Sequence, residues 1–260
     1  MSSDDAILAV NGLGKKFGDF AAVHDVSFTM RAGAIFGFLG PNGAGKTTTI
    51  KMLAGLLKPD SGTITIGGHT MAAAPLTCKG MTGYIPDRPY LYDKLTGHEF
   101  LQFMASLYEL PAEKFARSQR FLELFDLTPW QHHLVESYSH GMRQKLIMTS
   151  AFMLDAPLLV VDEPMVGLDP KSARLVKELF KEQAGRGRAI FLSTHSLEIA
   201  EELCDTIAII VNGRLRCLGT LEELRRQASR SDSDLEEIFL ELTGTYELQE
   251  VIRALRREEP

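Results

Sequence analysis

The sequence predicts an α/β protein with a mostly parallel central sheet, an antiparallel β subdomain and an inserted helical subdomain. Three patterns support this fold class. Apolar segments at 158–161, 189–192 and 206–211 alternate with helical segments, as expected of buried parallel strands covered on both faces. Short strands joined by turns precede them. Between about residues 96 and 154, apolar residues recur at helical spacing instead.

The amino-terminal part is predicted to be β-rich around one strand, loop and helix unit. Glycine or proline interrupts the apolar pattern at 31–33, 58–62 and 67–68, which predicts turns there. The segment 35–39 has no polar residue and therefore predicts a buried strand. The predicted elements are, in order, strands at 6–11, 22–30 and 35–39, a helix at 47–57 and a strand at 63–66.

The middle of the chain is predicted to form the helical subdomain. We expect it at about residues 88–157, inserted between strands of the central sheet. On its first helix, Phe100, Phe103, Met104 and Leu107 share one face because they recur at spacings of three and four.

The carboxy-terminal part is predicted to end in a hairpin and a helical tail. Asn212-Gly213 is typical of a two-residue hairpin turn between the last two strands. The main domain would then span residues 1–225, followed by a helical extension at 226–260. The polar run at 229–234 is expected to fray.

Composition and charge limit the class of protein. With 28 Lys and Arg against 34 Asp and Glu, the net charge of −6 argues against a nucleic-acid-binding surface as the main function. Cys78, Cys204 and Cys217 lack the spacing of a zinc site or a disulfide framework, which suits reduced cytosolic thiols. The first residues lack a basic segment followed by an apolar one, so no secretory leader is expected, and no window holds the roughly 20 apolar residues of a membrane helix. Any membrane role is therefore expected to depend on a partner.

A phosphate-binding loop follows the predicted strand at 35–39. Its motif, G-x-x-x-x-G-K-T, predicts the P-loop NTPase fold and binding of a nucleoside triphosphate. Glycines let the backbone curl until its N–H groups point inward, and the next helix adds the positive end of its dipole. Lys46 should reach the β- and γ-phosphates, and Thr47 should offer its hydroxyl to Mg²⁺. The remaining candidate binding residues of the loop are Gly40, Asn42, Gly43, Ala44, Gly45 and Thr48.

Two acids end the predicted strand at 158–161. Asp162 would hold Mg²⁺ directly or through water, across from Thr47. Glu163 is turned the other way and is placed to polarise an attacking water as general base. A solvated strand end is the alternative reading of this pair, and the phosphate loop upstream favours the catalytic one.

Further motifs occur downstream of the phosphate loop in a fixed order. Residues 139–144 read Ser-His-Gly-Met-Arg-Gln, residues 167–170 Gly-Leu-Asp-Pro and residues 193–196 Ser-Thr-His-Ser. Over nearly its whole length the chain therefore resembles the ATP-binding subunit of ABC transporters. The three segments match that family's signature sequence, D-loop and switch histidine.

The resemblance implies roles for individual residues. Ser139 and the backbone of Gly141 would begin a helix that caps the γ-phosphate of ATP held by the opposite subunit. Asp169 would lie in the D-loop that crosses the dimer interface, and His195 would contact the γ-phosphate. Phe17 stands where the family keeps an aromatic residue that stacks on adenine, although it could also be a plain core phenylalanine.

Two residues depart from the family pattern. Asp87 aligns with the glutamine of the Q-loop, which contacts Mg²⁺ and links the nucleotide to the transmembrane partner. A carboxylate there could bind Mg²⁺, act through water or serve only in the coupling to the partner. His140 replaces a signature glycine, so it could add a hydrogen-bond donor near phosphate or hinder closure.

The resemblance also implies an activity and partners. We expect an ATPase that uses ATP and Mg²⁺ and acts as a homodimer, or as a heterodimer with another ATP-binding subunit. Hydrolysis would drive transport through separate transmembrane permease subunits, one of which would dock at residues 84–99. The protein would be cytoplasmic, peripheral on the inner face of the cell membrane, with no direct contact with nucleic acid. The endings at 219–224 and 235–240 resemble ABC-2 exporters and favour export.

Two other function classes are the alternatives. Soluble ABC proteins that act on nucleic acid or ribosomes generally carry two cassettes, a coiled-coil arm or zinc modules, and the sequence shows none of these. A nucleotide kinase or a GTPase would account for the phosphate loop but not for the other motifs. Guanine recognition typically needs an N-K-x-D motif, which is absent from the sequence.

Overall fold

The strands of the protein form two sheets. The structure, a computed structural model, describes residues 6–227 and 235–243. The antiparallel sheet contains β1 (Ala6–Phe17), β2 (Phe20–Arg31), β4 (Ser61–Ile66) and β5 (His69–Thr70), in the order β2-β1-β4-β5. The second sheet contains β3 (Ile35–Leu39), β6 (Thr82–Ile85), β7 (Leu158–Asp162), β8 (Ala189–Thr194), β9 (Thr206–Val211) and β10 (Arg214–Gly219), in the order β10-β9-β3-β8-β7-β6. Only β10 runs antiparallel to its neighbour there, which confirms the predicted fold class.

Helices cover the second sheet and fill the interval between β6 and β7. They are α1 (Lys46–Leu53), α2 (Pro75–Gly80), α3 (Gly97–Leu107), α4 (Ala112–Leu124), α5 (His140–Leu154), α6 (Pro170–Gly185), α7 (Leu197–Leu203), α8 (Leu221–Gln227) and α9 (Leu235–Thr243). The interval between β6 and β7 holds α3, α4 and α5, with two short 3₁₀ turns. The described residues include no helix that is both long and apolar enough to cross a bilayer.

The carboxyl ends of three parallel strands meet at one edge of the second sheet. Strand β8 lies between β3 and β7, with Leu39 opposite Thr194 and Asp162 opposite Ser193. All residues of the three strands are buried, which explains why 35–39, 158–161 and 189–192 read as continuous apolar runs before the polar ends of β7 and β8. The loops that follow them therefore lie side by side, and these loops carry the predicted site.

Aromatic side chains join the antiparallel sheet to the parallel one. Phe28 of β2 stacks on Phe36 of β3 with ring centroids 4.9 Å apart and on Phe191 of β8 at 5.7 Å. Phe38 packs against Phe191 at 5.2 Å. Pairs of this kind stabilise a core beyond the area that they bury. They hold the β1–β2 hairpin in a fixed position over the loop that follows β3.

Helix α1 ends earlier than the sequence pattern predicts. The predicted helix at 47–57 is too long, because the observed helix stops at Leu53. Gly55 has φ +66°, and the amide of Leu56 donates to the carbonyl of Lys51 at 2.8 Å. This is a Schellman ending, in which glycine adopts the left-handed conformation and reverses the chain. The two apolar residues after Gly55 had extended the helical pattern without belonging to the helix.

Two β elements exceed what the sequence pattern predicts. Strand β6 was not predicted. Its four residues include a glycine, and they form a strand because they pair with β7. The first predicted strand, at 6–11, is also too short, since β1 continues to Phe17 through irregular pairing with β2. This extension brings Phe17 to the end of the hairpin.

The carboxy-terminal helices pack against the face of the parallel sheet opposite to the antiparallel sheet. Leu224 of α8 and both Leu235 and Ile238 of α9 are buried in one cluster with residues of β9. The amide of Leu235 also donates to the carboxylate of Glu201 in α7 at 3.1 Å. The predicted boundary at residue 225 falls inside α8, and the predicted fraying run at 229–234 lies outside the described residues.

Ion pairs link the helical subdomain to the rest of the protein along α4. Each joins a residue of α4, or one just beyond it, to a residue outside that helix. The pairs are Arg117 with Asp155 at 2.5 Å, Arg120 with Glu182 at 3.0 Å and Asp126 with Lys171 at 2.8 Å. Asp155, at the end of α5, also contacts Arg188, which comes just before β8. The pairs therefore run from the subdomain to α6 and to the parallel sheet.

Candidate functional site

The loop after β3 can adopt its shape only with glycine at several positions. Gly43 and Gly45 have φ values of +78° and +104°, which side chains disfavour. A Cβ on Gly45 would lie 2.4 Å from the carbonyl oxygen of Ala22, and a Cβ on Gly40 would lie 2.3 Å from that of Ile210. The loop is therefore pressed against β2 and β9, and residues 42–48 line a cavity.

The start of α1 has no side-chain cap. Gly45 occupies the N-cap position, and no acidic residue lies in the first turn. The first N–H groups of a helix lack partners within the helix, so an anion is favoured at this end. Thr47 and Thr48 line the cavity there. The arrangement suits a phosphate group, because phosphate supplies the acceptors that the chain does not.

The ammonium group of Lys46 is held across the loop. It donates to the carbonyl oxygens of Gly40 at 2.6 Å and Pro41 at 3.1 Å, and the residue is only 8% exposed. Burial lowers the pKa of Lys46, whereas the negative charges of Glu163 and Asp162 oppose that shift. The side chain is thus already extended towards the cavity, with neutral carbonyls as partners that an ionised phosphate oxygen can replace.

Asp162 ends β7 at the floor of the cavity. It is 3% exposed, and burial is the main cause of its raised pKa. The nearby charges of Glu163 and Asp87 raise the pKa further, and Lys46 lowers it. A buried carboxylate that faces two other acids gains from a bound cation, because the cation offsets both desolvation and repulsion.

Glu163 lies in a tight turn beside the end of β8. Its φ of +48° is unusual for a residue with a side chain, and its amide donates to the carbonyl of Ser193 at 3.0 Å. The Oε1 atom of Glu163 lies 2.9 Å from Nδ1 of His195. His195 is mostly exposed, so the pair stands at the mouth of the cavity. The turn and the histidine together fix the direction of the carboxylate.

One cavity of about 500 Å³ collects most of the predicted site residues. They come from the β1–β2 hairpin, the loop after β3, the segment after β6 and the ends of β7 and β8. The predicted residues that line it are Phe17, Asn42, Gly43, Ala44, Gly45, Lys46, Thr47, Thr48, Asp87, Asp162, Glu163 and His195. The structure therefore brings the candidate triphosphate, metal and catalytic residues together.

Three residues of the cavity wall were not predicted from the sequence. They are Phe20, Ala22 and Val166. Phe20 pairs directly opposite Phe17 across the turn of the hairpin, and the two are 65% and 52% exposed. Such exposure makes the alternative reading of Phe17 as a core residue wrong. Phe20 could have been found from the register of the hairpin, because Phe17 and Phe20 become neighbours only when β1 extends to residue 17.

Four predicted residues lie outside the cavity. Gly40 has a structural part in the loop. Ser139 caps α5 by accepting the amide of Met142 at 3.3 Å, and Gly141 follows in the first turn of that helix. Asp169 caps α6, and its hydrogen bonds from Ser172, with Lys145 nearby, lower its pKa well below the usual range. Ser139, Gly141 and Asp169 thus lie at the starts of two helices and do not line the cavity of their own chain.

The donor set of the cavity fits a hard cation that is shared with a substrate. Over residues 6–227 and 235–243, no group of three or more His, Cys, Asp or Glu side chains could hold a metal ion. Thr47, Asp162 and Asp87 nevertheless place oxygen atoms around the same cavity. Mg²⁺ prefers oxygen ligands and usually completes its shell with water and substrate phosphates. The residues present therefore fit Mg²⁺ bound together with a nucleotide.

Known proteins resemble this chain in sequence and in structure. The ABC transporter family matches residues 23–166, more than half of the chain. The ABC-type transporter ATP-binding protein EcsA of Bacillus subtilis is 36% identical over 239 residues, which cover 92% of this chain and 97% of that protein. The fluoroquinolones export ATP-binding protein MT2762 of Mycobacterium tuberculosis is 40% identical over 226 residues, 86% of this chain and 74% of that protein. A solved structure of the ATP binding subunit of an ABC transporter superposes with a TM-score of 0.88 and 38% identity, over 91% of this chain and 99% of that one.

Proposed function

Because the chain belongs to the ABC transporter family as an ATP-binding subunit, we propose that it hydrolyses ATP in a pair of copies and drives transport through separate membrane subunits. One observation carries the proposal. A single cavity gathers the phosphate loop, Asp162, Glu163 and His195, whereas Ser139 and Asp169 lie outside it. Ser139 and Asp169 can act on a nucleotide only in the cavity of another chain, whereas the cavity residues can bind one within their own chain.

In the proposed binding mode, each part of the cavity holds one part of the nucleotide. Phe17 stacks on adenine, since its exposed ring stands at the wall of the cavity. The N–H groups of the loop and Lys46 hold the phosphates. Thr47 and Asp162 would hold Mg²⁺, and Asp87, which lines the same cavity, would act on it directly or through water. When bound, the metal neutralises phosphate charge and polarises the γ-phosphate.

Glu163 is the proposed general base. It accepts a proton from a water while the water oxygen bonds to the γ-phosphorus and the bond from that phosphorus to the leaving ADP oxygen breaks. His195 keeps the carboxylate directed into the mouth of the cavity through the 2.9 Å contact with Oε1. Its exposed edge remains available to the γ-phosphate. The two residues thus combine proton removal with orientation.

Pairing supplies the remaining contacts in this proposal. The N-terminus of α5, capped by Ser139, meets the γ-phosphate in the partner's cavity, and the Gly141 backbone allows close approach. Asp169 stands at the same surface, at the start of α6. The partner is a second copy or another ATP-binding subunit of the same family. Hydrolysis removes the γ-phosphate and therefore weakens the pair.

An exposed aromatic surface formed by Tyr90, Tyr92 and Phe103 is the proposed contact with a membrane subunit. Tyr90 and Tyr92 are 83% and 58% exposed, and Tyr92 packs edge-on to Phe103 with centroids 5.3 Å apart. Of the face predicted on α3, Phe100 is buried, whereas Phe103 and Leu107 are 40% and 64% exposed. This surface includes part of the segment 84–99 and suits an apolar helix. Because a relative is named for export of fluoroquinolones, we propose export as the direction.

Changing Ser139 to Asp tests the pairing. We expect the Ser139→Asp chain to bind ATP normally, to lose ATP-dependent pairing and to lose about 10²-fold in turnover. Asp caps a helix as well as Ser does, so α5 should stay intact, but its charge repels the partner's γ-phosphate. Light scattering with ATP, together with an ATPase assay, measures both effects.

A matched control separates charge from folding. Thr220 caps α8 by accepting the amide of Glu223 at 3.2 Å and lies outside the cavity. Thr220→Asp adds the same charge at the same kind of position and should leave pairing unchanged. If Ser139→Asp still pairs and turns over ATP like the unaltered chain, the proposed shared site is wrong.

Changing Phe17 to Ala tests the adenine contact. We expect Phe17→Ala to raise the Kd for ATP about five- to ten-fold, because stacking on one aromatic ring contributes about 1–1.5 kcal/mol. The Kd for inorganic triphosphate should stay within about two-fold, since that ligand has no base. Equal weakening of both ligands would show that Phe17 supports the loop and does not recognise adenine. Titration calorimetry measures both affinities.

A further inference from the structure

His140 departs from the glycine that the signature sequence leads one to expect, and its ring has a definite neighbour. We propose that His140 is a positioning residue, which holds the loop at 163–169 against the first turn of α5 and thereby fixes Glu163. The inference rests on the proposed function, because it takes Glu163 as the base. It extends that function by tying the signature helix of a chain to the catalytic loop of the same chain.

The ring of His140 occupies the space where residue 167 would carry a side chain. A Cβ built on Gly167 would lie 2.3 Å from Cδ2 and 2.8 Å from Nε2 of His140. A Cβ on the next residue of the helix, Gly141, would lie 3.0 Å from the carbonyl oxygen of Gly167. Two consecutive residues of α5 therefore touch one residue of the loop. Glycine at 167, with φ +78°, is what makes the approach possible.

Two hydrogen-bonded turns hold the loop between Glu163 and Gly167 in one shape. The amide of Val166 donates to the carbonyl of Glu163 at 3.3 Å, and the amide of Leu168 donates to the carbonyl of Met165 at 3.3 Å. These two turns overlap, so a shift of Gly167 must move Val166 and then Glu163. Val166 also lines the cavity. A displacement of Gly167 is therefore expected to reach Glu163, the proposed base, which is only four residues away in the chain.

A second contact fastens the far end of the same loop to α5. Lys145 reaches Asp169 with Nζ 3.4 Å from Oδ2, and Asp169 caps α6 through Ser172. The loop is thus fixed at its start by the bond from Glu163 to Ser193, in its middle by His140 and at its end by Lys145. Only the middle contact depends on the residue that departs from the family pattern. In a pair of copies, the α5 helix of one chain would contact the partner's nucleotide and would also position Glu163, which acts on the nucleotide in its own chain.

The test uses steady-state kinetics of the purified full chain with Mg²⁺ and ATP. We expect His140→Gly to lower kcat about ten-fold with KM for ATP within about two-fold, because a small misplacement of a base costs rate more than binding. His140→Phe keeps a flat ring in the contact and should retain kcat within about three-fold. Pairing of the Glu163→Gln chain with ATP should be unaffected by His140→Gly.

A double substitution tests the contact itself. Gly167→Ala should lower kcat about ten-fold when His140 is present, because the methyl group displaces the ring. In the His140→Gly chain the same change should cost less than about two-fold, since residues in contact are not additive. Gly187→Ala is the control, because Gly187 has φ +87° and a Cβ there meets nothing within 4 Å. It should leave kcat unchanged.

Three results would overturn the inference. They are an unchanged kcat in His140→Gly, multiplicative losses in the double variant, and a loss of pairing that parallels the loss of kcat. The last result would mean that His140 acts on the partner's nucleotide. A wild-type chain without ATPase activity would instead contradict the proposed function, so the two failures can be told apart.

Discussion

Replacing Glu163 with Gln should lower ATP turnover by about 10³-fold while ATP still binds. Gln has nearly the same shape, so it keeps the turn at φ +48° and can still contact His195. It cannot accept the proton of the attacking water, and loss of a positioned general base typically costs 10²- to 10⁴-fold. Because the charge that it removes also faced the phosphates, the affinity for ATP should rise or stay equal.

Single-turnover and steady-state assays of phosphate release measure this effect, with ATP binding measured separately by calorimetry. Glu198→Gln is the matched control, because Glu198 is exposed near the same histidine but does not line the cavity. We expect it to retain full activity. Undiminished hydrolysis by Glu163→Gln would remove Glu163 from its proposed role and leave the base unassigned.

Replacing Lys46 with Ala should raise the Kd for ATP by about 10²-fold or more. The change removes a charge that faces the phosphates and leaves the carbonyls of Gly40 and Pro41 without their partner. It also leaves Asp162 and Glu163 without the cation that offsets them. A 10²-fold loss corresponds to about 2.7 kcal/mol, within the range for a charge-assisted contact with several partners.

Calorimetric titration with ATP measures the affinity, and thermal unfolding without nucleotide checks that the chain folds. Lys51→Ala is the control, because Lys51 lies on the exposed side of the same helix and should leave the Kd within about two-fold. A Lys46→Ala chain that is folded and binds ATP with normal affinity would contradict the proposed phosphate site. A chain that fails to fold would show itself in the unfolding curve.

The parallel sheet and the phosphate loop could be predicted because local sequence determines them. Fully buried strands such as β3 and β7 read as apolar runs, and the glycines of the loop follow from a backbone shape that other residues cannot adopt. The order of the loops at the strand ends then follows from parallel pairing. Asp162, Glu163 and Lys46 were therefore expected in one place, and the structure puts all three in one cavity.

Features that depend on contacts distant in sequence could not be predicted. Strand β6 exists because it pairs with β7, more than 70 residues later in the chain. Phe20 becomes part of the cavity wall only through the register of the hairpin with Phe17. The contact between His140 and Gly167 has no sequence signature at all, because it depends on how α5 lies against a loop of another element. Propensity and motifs do not contain this information.

The ion pairs along α4 add a salt-dependent part to the attachment of the helical subdomain, which also rests on buried apolar contacts. Their side chains are open to water to differing degrees, and dissolved ions screen such pairs, so each holds its partner weakly. The apolar contacts beneath α5 do not depend on salt in this way. The subdomain is therefore attached by apolar packing that salt does not screen and by surface ion pairs that salt weakens. Rising ionic strength therefore loosens the outer contacts of α4, whereas its buried face stays attached through the packing of Phe121 on Phe152.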